Sequence, residues 1–435
     1  MLGLGGAIGS GIFVASGIAV NQTGPSIIIS FIIGGIISTL IMLMLAEMSV
    51  HEPTTGSFSV YAGEYLGPTL GFISGWMYWM AGILTLATEM VAAALIARYW
   101  LPSLPIWVIS LFIAIVIIGI SFLDVKAFAR VEEALSFVKV GILFVVIIMG
   151  IVLFLGLWPG LKSPGLVNYL GHGGFFPHGL SGFLSSLLLV LYTYAGEQVI
   201  GPATGETQDP EITVPKAVSI INITLVVLYI GSITFLVGIL PWDQVPQNGS
   251  GFVPLFRQLG LNAISGVMNA IILSAILSAM NSNMYGVPRM LKSLAERNDA
   301  PVFLSEDDQR GVPVPAVLVS SIFLLVVVGI SYVLPKEVLV YIASTAGVAL
   351  ILNWLIIALA YYRFRQRVKL NLSERRVKLP GFPYTPIAAG VMLLIALLTS
   401  ALNQNQLVGL VAGIIILLGF SVLYILFVKK GELQD

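Results

Sequence analysis

The sequence predicts an all-α integral membrane protein with twelve membrane-spanning helices. Hydrophobic residues make up 57% of the 435 residues and charged residues only 10%, whereas about a quarter of a soluble domain is charged. Apolar runs near the length that crosses a bilayer, about 20 residues, also recur along the whole chain. We place them at residues 2–20, 26–47, 71–98, 105–123, 134–157, 181–204, 214–240, 263–292, 314–334, 337–362, 384–402 and 406–428.

The distribution of basic residues predicts the orientation in the membrane. If the N-terminus is cytoplasmic, the even-numbered connectors and the C-terminal tail hold 16 of the 21 basic residues. Cytoplasmic loops carry an excess of lysine and arginine, so we expect both termini in the cytoplasm and the chain in the cell membrane.

The composition excludes several other kinds of protein. The formal net charge is +0 at pH 7, so nothing indicates a nucleic-acid partner. The chain has no cysteine, and its three histidines lack metal-ligand spacing, so we expect no metal and no cofactor. No phosphate-binding P-loop sequence is present, and use of ATP by this chain is therefore not expected.

The first span is unusually rich in glycine, with four glycines between Gly5 and Gly11. Each glycine costs a helix roughly 1 kcal/mol relative to alanine, and unwound backbone in a membrane must line a cavity or lie within protein. We interpret the stretch as a broken helix whose N–H groups at Ser10, Gly11 and Ile12 bind a carboxylate. The alternative is close helix packing through Gly5-x-x-x-Gly9.

The sixth span is interrupted as well, by polar residues together with Gly196, Gly201 and Pro202. Carbonyl groups freed around Tyr194 and Ala195 would accept hydrogen bonds from an ammonium group; the alternative is a simple proline kink. Breaks five spans apart, at corresponding positions of two halves, indicate an inverted-repeat transporter with a site at the bilayer midplane. Amides that bind an anion beside carbonyls that bind a cation suit an α-amino acid.

Charged side chains inside predicted spans are costly and are functional hypotheses by default, and Lys139, Glu89 and Glu197 are the candidates of this kind. Lys139 in the fifth span is either an internal cation that titrates during transport or a lysine that snorkels to the interface. Glu89 in the third span either pairs with a substrate cation or a proton, or is a buried, protonated carboxyl. Glu197 lies in the sixth-span break.

The eighth span carries a seam of serine and asparagine residues. We expect Asn283 to face the pocket, whereas for any single member of the seam hydrogen bonding between helices is the competing interpretation.

Several stretches together resemble the amino acid–polyamine–organocation superfamily, and within it the bacterial amino acid permeases. The first-span glycines resemble the family signature, and further matching stretches follow in the same order along nearly the whole chain. They are Leu45–Met48, Thr55–Phe58, Gly75–Trp79 with Glu89, Gly205–Pro210, Asn281–Tyr285 and Arg289–Arg297.

The resemblance implies a five-plus-five inverted repeat of the leucine-transporter type, with helices one and six broken. Residues 1–157 would form the first repeat with spans one to five, and residues 158–362 the second with spans six to ten. Residues 363–435 would hold a basic cytoplasmic loop and spans eleven and twelve. The resemblance also implies an amino acid bound between the two breaks, with the carbonyl of Ile8 contributing, and proton symport through Lys139.

One position departs from the family pattern. The family places an acidic residue two positions after the glycine of the sixth-span break, where this chain has Gln198, and the acid stands one step earlier at Glu197. One step turns a helical side chain by about 100°. We therefore expect Glu197 to face a different wall, and we hypothesise that it favours a cationic substrate side chain.

The sequence thus predicts a secondary active permease that imports an L-amino acid with a proton, and not an enzyme. The expected partners are the amino acid, protons and the lipid bilayer, with no obligate protein partner evident. A gradient-independent amino acid exchanger is the alternative mechanism. An amino acid sensor that signals without transport is disfavoured, because the short connectors leave no output domain.

Overall fold

A computed structural model describes residues 6–54, 56–122, 125–199, 210–246, 250–261, 264–333, 338–368 and 379–428, and within them the chain is helical and contains no strand. The α-helices are α1 (Ser16–Thr23), α2 (Ile27–His51), α3 (Ser57–Leu66), α4 (Pro68–Ala97), α5 (Ile106–Ser121), α6 (Val125–Phe154), α7 (Val167–Leu170), α8 (Gly179–Thr193), α9 (Pro210–Ile239), α10 (Phe252–Gln258), α11 (Ser265–Glu296), α12 (Val314–Val333), α13 (Val338–Arg367), α14 (Tyr384–Thr399) and α15 (Gln404–Leu423).

The prediction of an all-helical membrane protein is confirmed for the described part of the chain. It contains nine helical segments long and apolar enough to cross a bilayer. The first runs from Gly11 to His51 and covers the second half of the first predicted span and the whole of the second, with a 3₁₀ turn at Gly24–Ser26 between them. Two shorter apolar helices lie at the fourth and ninth predicted spans. The count of twelve remains a prediction.

Helix α4 lies at the centre of the protein. It packs against α11 and α13, and 83% of its most apolar stretch is buried, compared with 22% for the helical stretch that begins at Gln404. On the other side α2 packs against α8 and α9. The apolar exterior of the last helices is the surface expected to face lipid, whereas α4 and α2 border the interior where the two predicted breaks lie.

The structure adds features that hydropathy does not predict. The short helix α3 forms within the connector between the second and third predicted spans and packs against α4 and α13. Helix α6 begins at Val125, although the apolar run begins near residue 134. Hydropathy marks where a helix meets lipid, whereas backbone hydrogen bonding continues into polar sequence.

Some residues used in the sequence predictions lie outside the described residues. They are Gly5, Thr55, Gly201, Pro202 and the segment 205–209. Seven of the basic residues counted for the orientation also lie outside them, namely Lys336, Lys369, Arg375, Arg376, Lys378, Lys429 and Lys430.

Candidate functional site

The first helix is interrupted at its glycine-rich stretch. The backbone is helical at Gly6 and Ala7, bends at Ile8 and Gly9, and then continues into a π-helix at Gly11–Ala15 before α1. Ser16 donates its hydroxyl hydrogen bond to the carbonyl of Ile12, which satisfies one acceptor of the irregular turn. The other groups that the bend releases lie inside the protein, where unwound backbone is tolerated.

A second interruption follows α8. That helix ends at Thr193, Tyr194 occupies a turn, and a 3₁₀ helix covers Ala195–Val199. This change of helix type coincides with the polar cluster that the sequence places in the middle of the sixth predicted span.

The two interruptions are in direct backbone contact. A Cβ atom added at Gly196 would overlap the carbonyl oxygen of Gly6 and come within 2.5 Å of the Cα atom of Ala7. A Cβ atom added at Gly11 would come within 2.8 Å of the Cα atom of Thr193. Only glycine permits such close approach of two chain segments, and the glycines therefore bring the breaks together.

Tyrosine hydroxyls from neighbouring helices bind carbonyl groups at both breaks. Tyr229 of α9 donates to the carbonyl oxygen of Ala7 at 2.8 Å. Tyr78 of α4 donates to the carbonyl oxygen of Gln198 at 3.4 Å. A buried polar group without a partner is costly, so these two tyrosines stabilise the irregular backbone that the breaks require.

A small cavity lies where the breaks meet. Its volume is about 10 Å³, on the scale of the room that one water molecule needs. An amino acid, the substrate expected from the sequence, is larger than this cavity. The cavity is lined by Gly6, Ala7, Gly9, Gly11, Thr85, Glu89, Tyr192, Thr193, Ala195, Gly196 and Asn283.

Glu89 is the carboxylate of this cavity. It extends from α4, is 3% exposed, and its Oε2 accepts a hydrogen bond from Asn283 Nδ2 of α11 at 3.2 Å. Its Oε1 lies against the first break, only 2.5 Å from where a Cβ atom of Gly9 would stand. Glu89 therefore connects the central helix, the eighth predicted span and the unwound backbone.

The other two predicted ionisable residues lie away from the cavity. Lys139 is fully buried on α6, a helix that packs against α9 and α11. Glu197 is also fully buried, but its Oε2 accepts a hydrogen bond from Ser38 of α2 at 2.8 Å. Its Oε1 has no hydrogen-bond partner among the described residues. Glu197 thus faces α2 and does not line the cavity.

The predicted binding residues divide into two groups. Gly11, Ala195, Glu89 and Asn283 line the cavity. The remaining backbone candidates are buried and adjoin lining residues in the chain; they are Ile8, Ser10, Ile12 and Tyr194. The hydroxyl of Tyr194 points to α2, where it donates to the carbonyl of Phe31 at 3.1 Å.

Sequence reasoning did not select three polar residues that line the cavity, Thr85, Tyr192 and Thr193. Thr85 precedes Glu89 by four positions on α4, and residues four apart share a helix face. That spacing was the available signal. Tyr192 and Thr193 stand just before the predicted break, in the last turn of α8.

Comparison with known proteins shows the family. Residues 1–431 match the family described as amino acid permease. A gamma-aminobutyric acid permease of Bacillus subtilis (strain 168) is 35% identical over 436 residues, covering 99% of this chain and 92% of that protein. A probable threonine/serine transporter of the same organism is 33% identical over 429 residues, covering 98% and 93%.

One of these relatives is named as a permease and the other as a probable transporter, neither as an enzyme, and the similarity extends over nearly the full length of each pair of chains. The predicted resemblance is confirmed: the chain belongs to the amino acid permease family.

Proposed function

We propose that this permease imports a small L-amino acid together with a proton, by alternating access. The observation that carries the proposal is the meeting of two interrupted helices around a small cavity that contains a buried carboxylate. Backbone donors and acceptors at one junction suit the two charged groups that every amino acid shares.

The unwound backbone would recognise the zwitterion. The N–H groups of Ser10, Gly11 and Ile12 stand at the start of the π-helical turn, where the helix dipole favours an anion, and they would bind the carboxylate. The ammonium group would bind carbonyl oxygens of both breaks, those of Ile8, Tyr194 and Ala195. Recognition by backbone alone does not distinguish one amino acid from another.

Glu197 would act on the substrate without touching it. Its carboxyl group faces Ser38 on α2, directly behind the break that carries the proposed ammonium acceptors. When ionised, Glu197 would favour a positive charge at that end of the site, because a charge in a medium of low dielectric constant acts over several ångströms.

Proton coupling is proposed to depend on Lys139 and Glu89. Burial of a charged side chain within a membrane protein is costly, and a conformational change that moves such a group between water and the interior changes its proton occupancy. Lys139 is fully buried here, which fits one end state of such a cycle. Glu89, at the cavity itself, can bind either a proton or a donor group of the substrate.

The proposal also includes the movement of helices that transports the substrate and the orientation of the chain in the membrane. The cavity is too small for an amino acid in this state, so one group of helices must rotate relative to the other, first to admit the substrate and then to release it. We propose that residues 1–157 and 158–362 are the two inverted repeats, that residues 363–435 follow them with the last two spans, and that both termini are cytoplasmic.

The names of two relatives support a small substrate. One is named for gamma-aminobutyric acid and the other for threonine and serine, all of which are small zwitterions. A small substrate also agrees with the close approach of backbone at Gly11 and Gly196.

Uptake into proteoliposomes tests the proposal. With an inward proton gradient we expect the wild-type protein to accumulate labelled amino acid, and a protonophore to abolish the accumulation. Lys139→Ala should lose gradient-driven accumulation, whereas Lys162→Ala, at an exposed lysine, should retain it.

Counterflow distinguishes the exchanger. An exchanger would take up label only into vesicles preloaded with amino acid, with or without a proton gradient.

Gradient-driven accumulation by Lys139→Ala at the wild-type level would overturn the coupling role of this lysine.

A further inference from the structure

We infer that the site selects small zwitterions whose far end carries a hydrogen-bond donor, a hydroxyl or an ammonium group, and that Glu89 is its acceptor. The inference rests on the proposed function and names the class of substrate. It follows from the chemistry of the cavity walls, from the position of the Glu89 carboxylate, and from the limited space at the junction.

Every side chain larger than a methyl group that lines the cavity carries a polar group. Thr85 and Tyr192 contribute hydroxyls, Asn283 an amide and Glu89 a carboxylate. The other lining residues that the structure describes are glycine, alanine and Thr193, and none of them offers a large apolar surface. An apolar substrate side chain would therefore displace water from polar groups without replacing their hydrogen bonds, which is unfavourable.

The carboxylate is held in a fixed position by its neighbours. Asn283 donates to Oε2, while Oε1 is directed at the bend at Gly9, beside the proposed carboxylate-binding amides. An ionised carboxylate accepts about four hydrogen bonds, so Glu89 can be held by its neighbours and still accept a donor on the substrate.

The junction favours a short substrate. A Cβ atom at Gly9 would stand 2.8 Å from the Cβ atom of Ala279 on α11, as well as against Glu89. The backbone of the first break thus lies within one side-chain length of side chains on both α4 and α11. Because Glu89 lies beside the proposed carboxylate-binding amides, it can accept only a donor that stands a few heavy atoms from the substrate carboxylate.

Two matched pairs of substrates test the inference on the wild-type protein in proteoliposomes. L-threonine and L-valine have the same shape but differ in the hydroxyl; L-2,4-diaminobutyrate and L-norvaline differ in the ammonium group. A site built to hydrogen-bond a substrate group rejects the analogue that lacks it by orders of magnitude. We expect the donor-bearing member of each pair to compete at least about 100-fold better for uptake of label.

Variants identify the acceptor. Glu89→Gln keeps the shape and an acceptor oxygen but removes the charge, so the preference for diaminobutyrate over norvaline should fall at least about tenfold, and the threonine-to-valine ratio should fall less. Thr85→Val should reduce the threonine-to-valine ratio. Thr345→Val on α13 is the matched control, because Thr345 bonds the carbonyl of Tyr341 on its own helix at 2.7 Å and does not line the cavity.

The outcomes separate this inference from the proposed function. If valine and norvaline compete within about threefold of their donor-bearing partners, the selectivity is overturned although amino acid transport stands. If none of the twenty amino acids is taken up, both are overturned. The competition ratios of the two substrate pairs are measured on the wild-type protein, so this test of selectivity does not depend on whether a variant folds.

Discussion

Gly9 and Glu89 face each other so closely that a Cβ atom at residue 9 would lie 2.5 Å from the Oε1 atom of the carboxylate. The two residues are 80 positions apart in the chain. Their proximity joins the bend of the first helix to the central helix α4, and it explains why the bend requires glycine at this position.

Gly9→Ala should therefore damage the site. The added methyl group would push Glu89 away from the bend or distort the bend itself, and overpacking of this kind typically costs about 1–3 kcal/mol. We expect uptake to fall at least tenfold, and the free energy of unfolding in detergent to fall by about 1–3 kcal/mol.

Gly119→Ala on α5 is the control, because nothing lies within 4 Å of the place that its added methyl group would occupy. It should preserve both uptake and stability. Equal uptake by the two variants would show that the Gly9–Glu89 contact is irrelevant to transport.

Tyr229→Phe should weaken the first break specifically. The change removes the hydrogen bond to the Ala7 carbonyl and leaves a buried acceptor, at a cost of about 1–3 kcal/mol. Because Ala7 lines the cavity, we expect substrate affinity to decrease along with thermal stability.

Tyr169→Phe offers a matched comparison. Tyr169 donates to the carbonyl of Thr234 at 2.8 Å, and neither residue lines the cavity. This variant should lose similar stability while keeping wild-type affinity. If both variants bind substrate equally well, the hydroxyl of Tyr229 has no role in shaping the site.

A buried ion pair near the C-terminal end of α2 should be important for stability. Glu47 is bonded by Arg365 at 3.1 Å and by the hydroxyl of Tyr361 at 2.7 Å, both on α13, and by the backbone N–H of Leu379 at 3.3 Å. Glu47→Gln leaves the Arg365 charge without its buried counter-charge, and breaking such a pair costs about 3–5 kcal/mol.

An exposed pair provides the contrast for that measurement. Glu296 lies 3.6 Å from Lys292 on the surface of α11, and Glu296→Gln should change stability by less than about 1 kcal/mol. The double variant Glu47→Gln/Arg365→Gln should lose less stability than the sum of the losses in the two single variants, because the two residues interact. Strictly additive losses would contradict the importance of this pair.

The sequence predicts the helical membrane architecture well because apolar runs report directly which segments avoid water. It also locates both interruptions, since glycine and polar residues within such a run have few other uses. The short helix α3 escapes this reasoning because it lies in a polar connector and is stabilised by packing against α4 and α13.

The walls of the site are harder to predict. Tyr229 and Ala7 are 222 positions apart, and no local pattern shows that a hydroxyl on α9 serves a carbonyl in the first helix. Glu197 could be placed at the break from the sequence, and the structure shows its carboxyl group bonded to Ser38 of α2. Which helix it would face depended on packing that the sequence does not display.

Equilibrium binding to purified protein tests most directly whether the substrate site lies where the breaks meet. The ligand is the amino acid that gives the highest uptake among the twenty. Wild type and Gly390→Ala, a position with open space around it, should bind one molecule per chain with equal affinity. Gly196→Ala, which would force the two breaks apart, should lose binding while circular dichroism shows retained helix. Wild-type affinity in a folded Gly196→Ala protein would contradict the account.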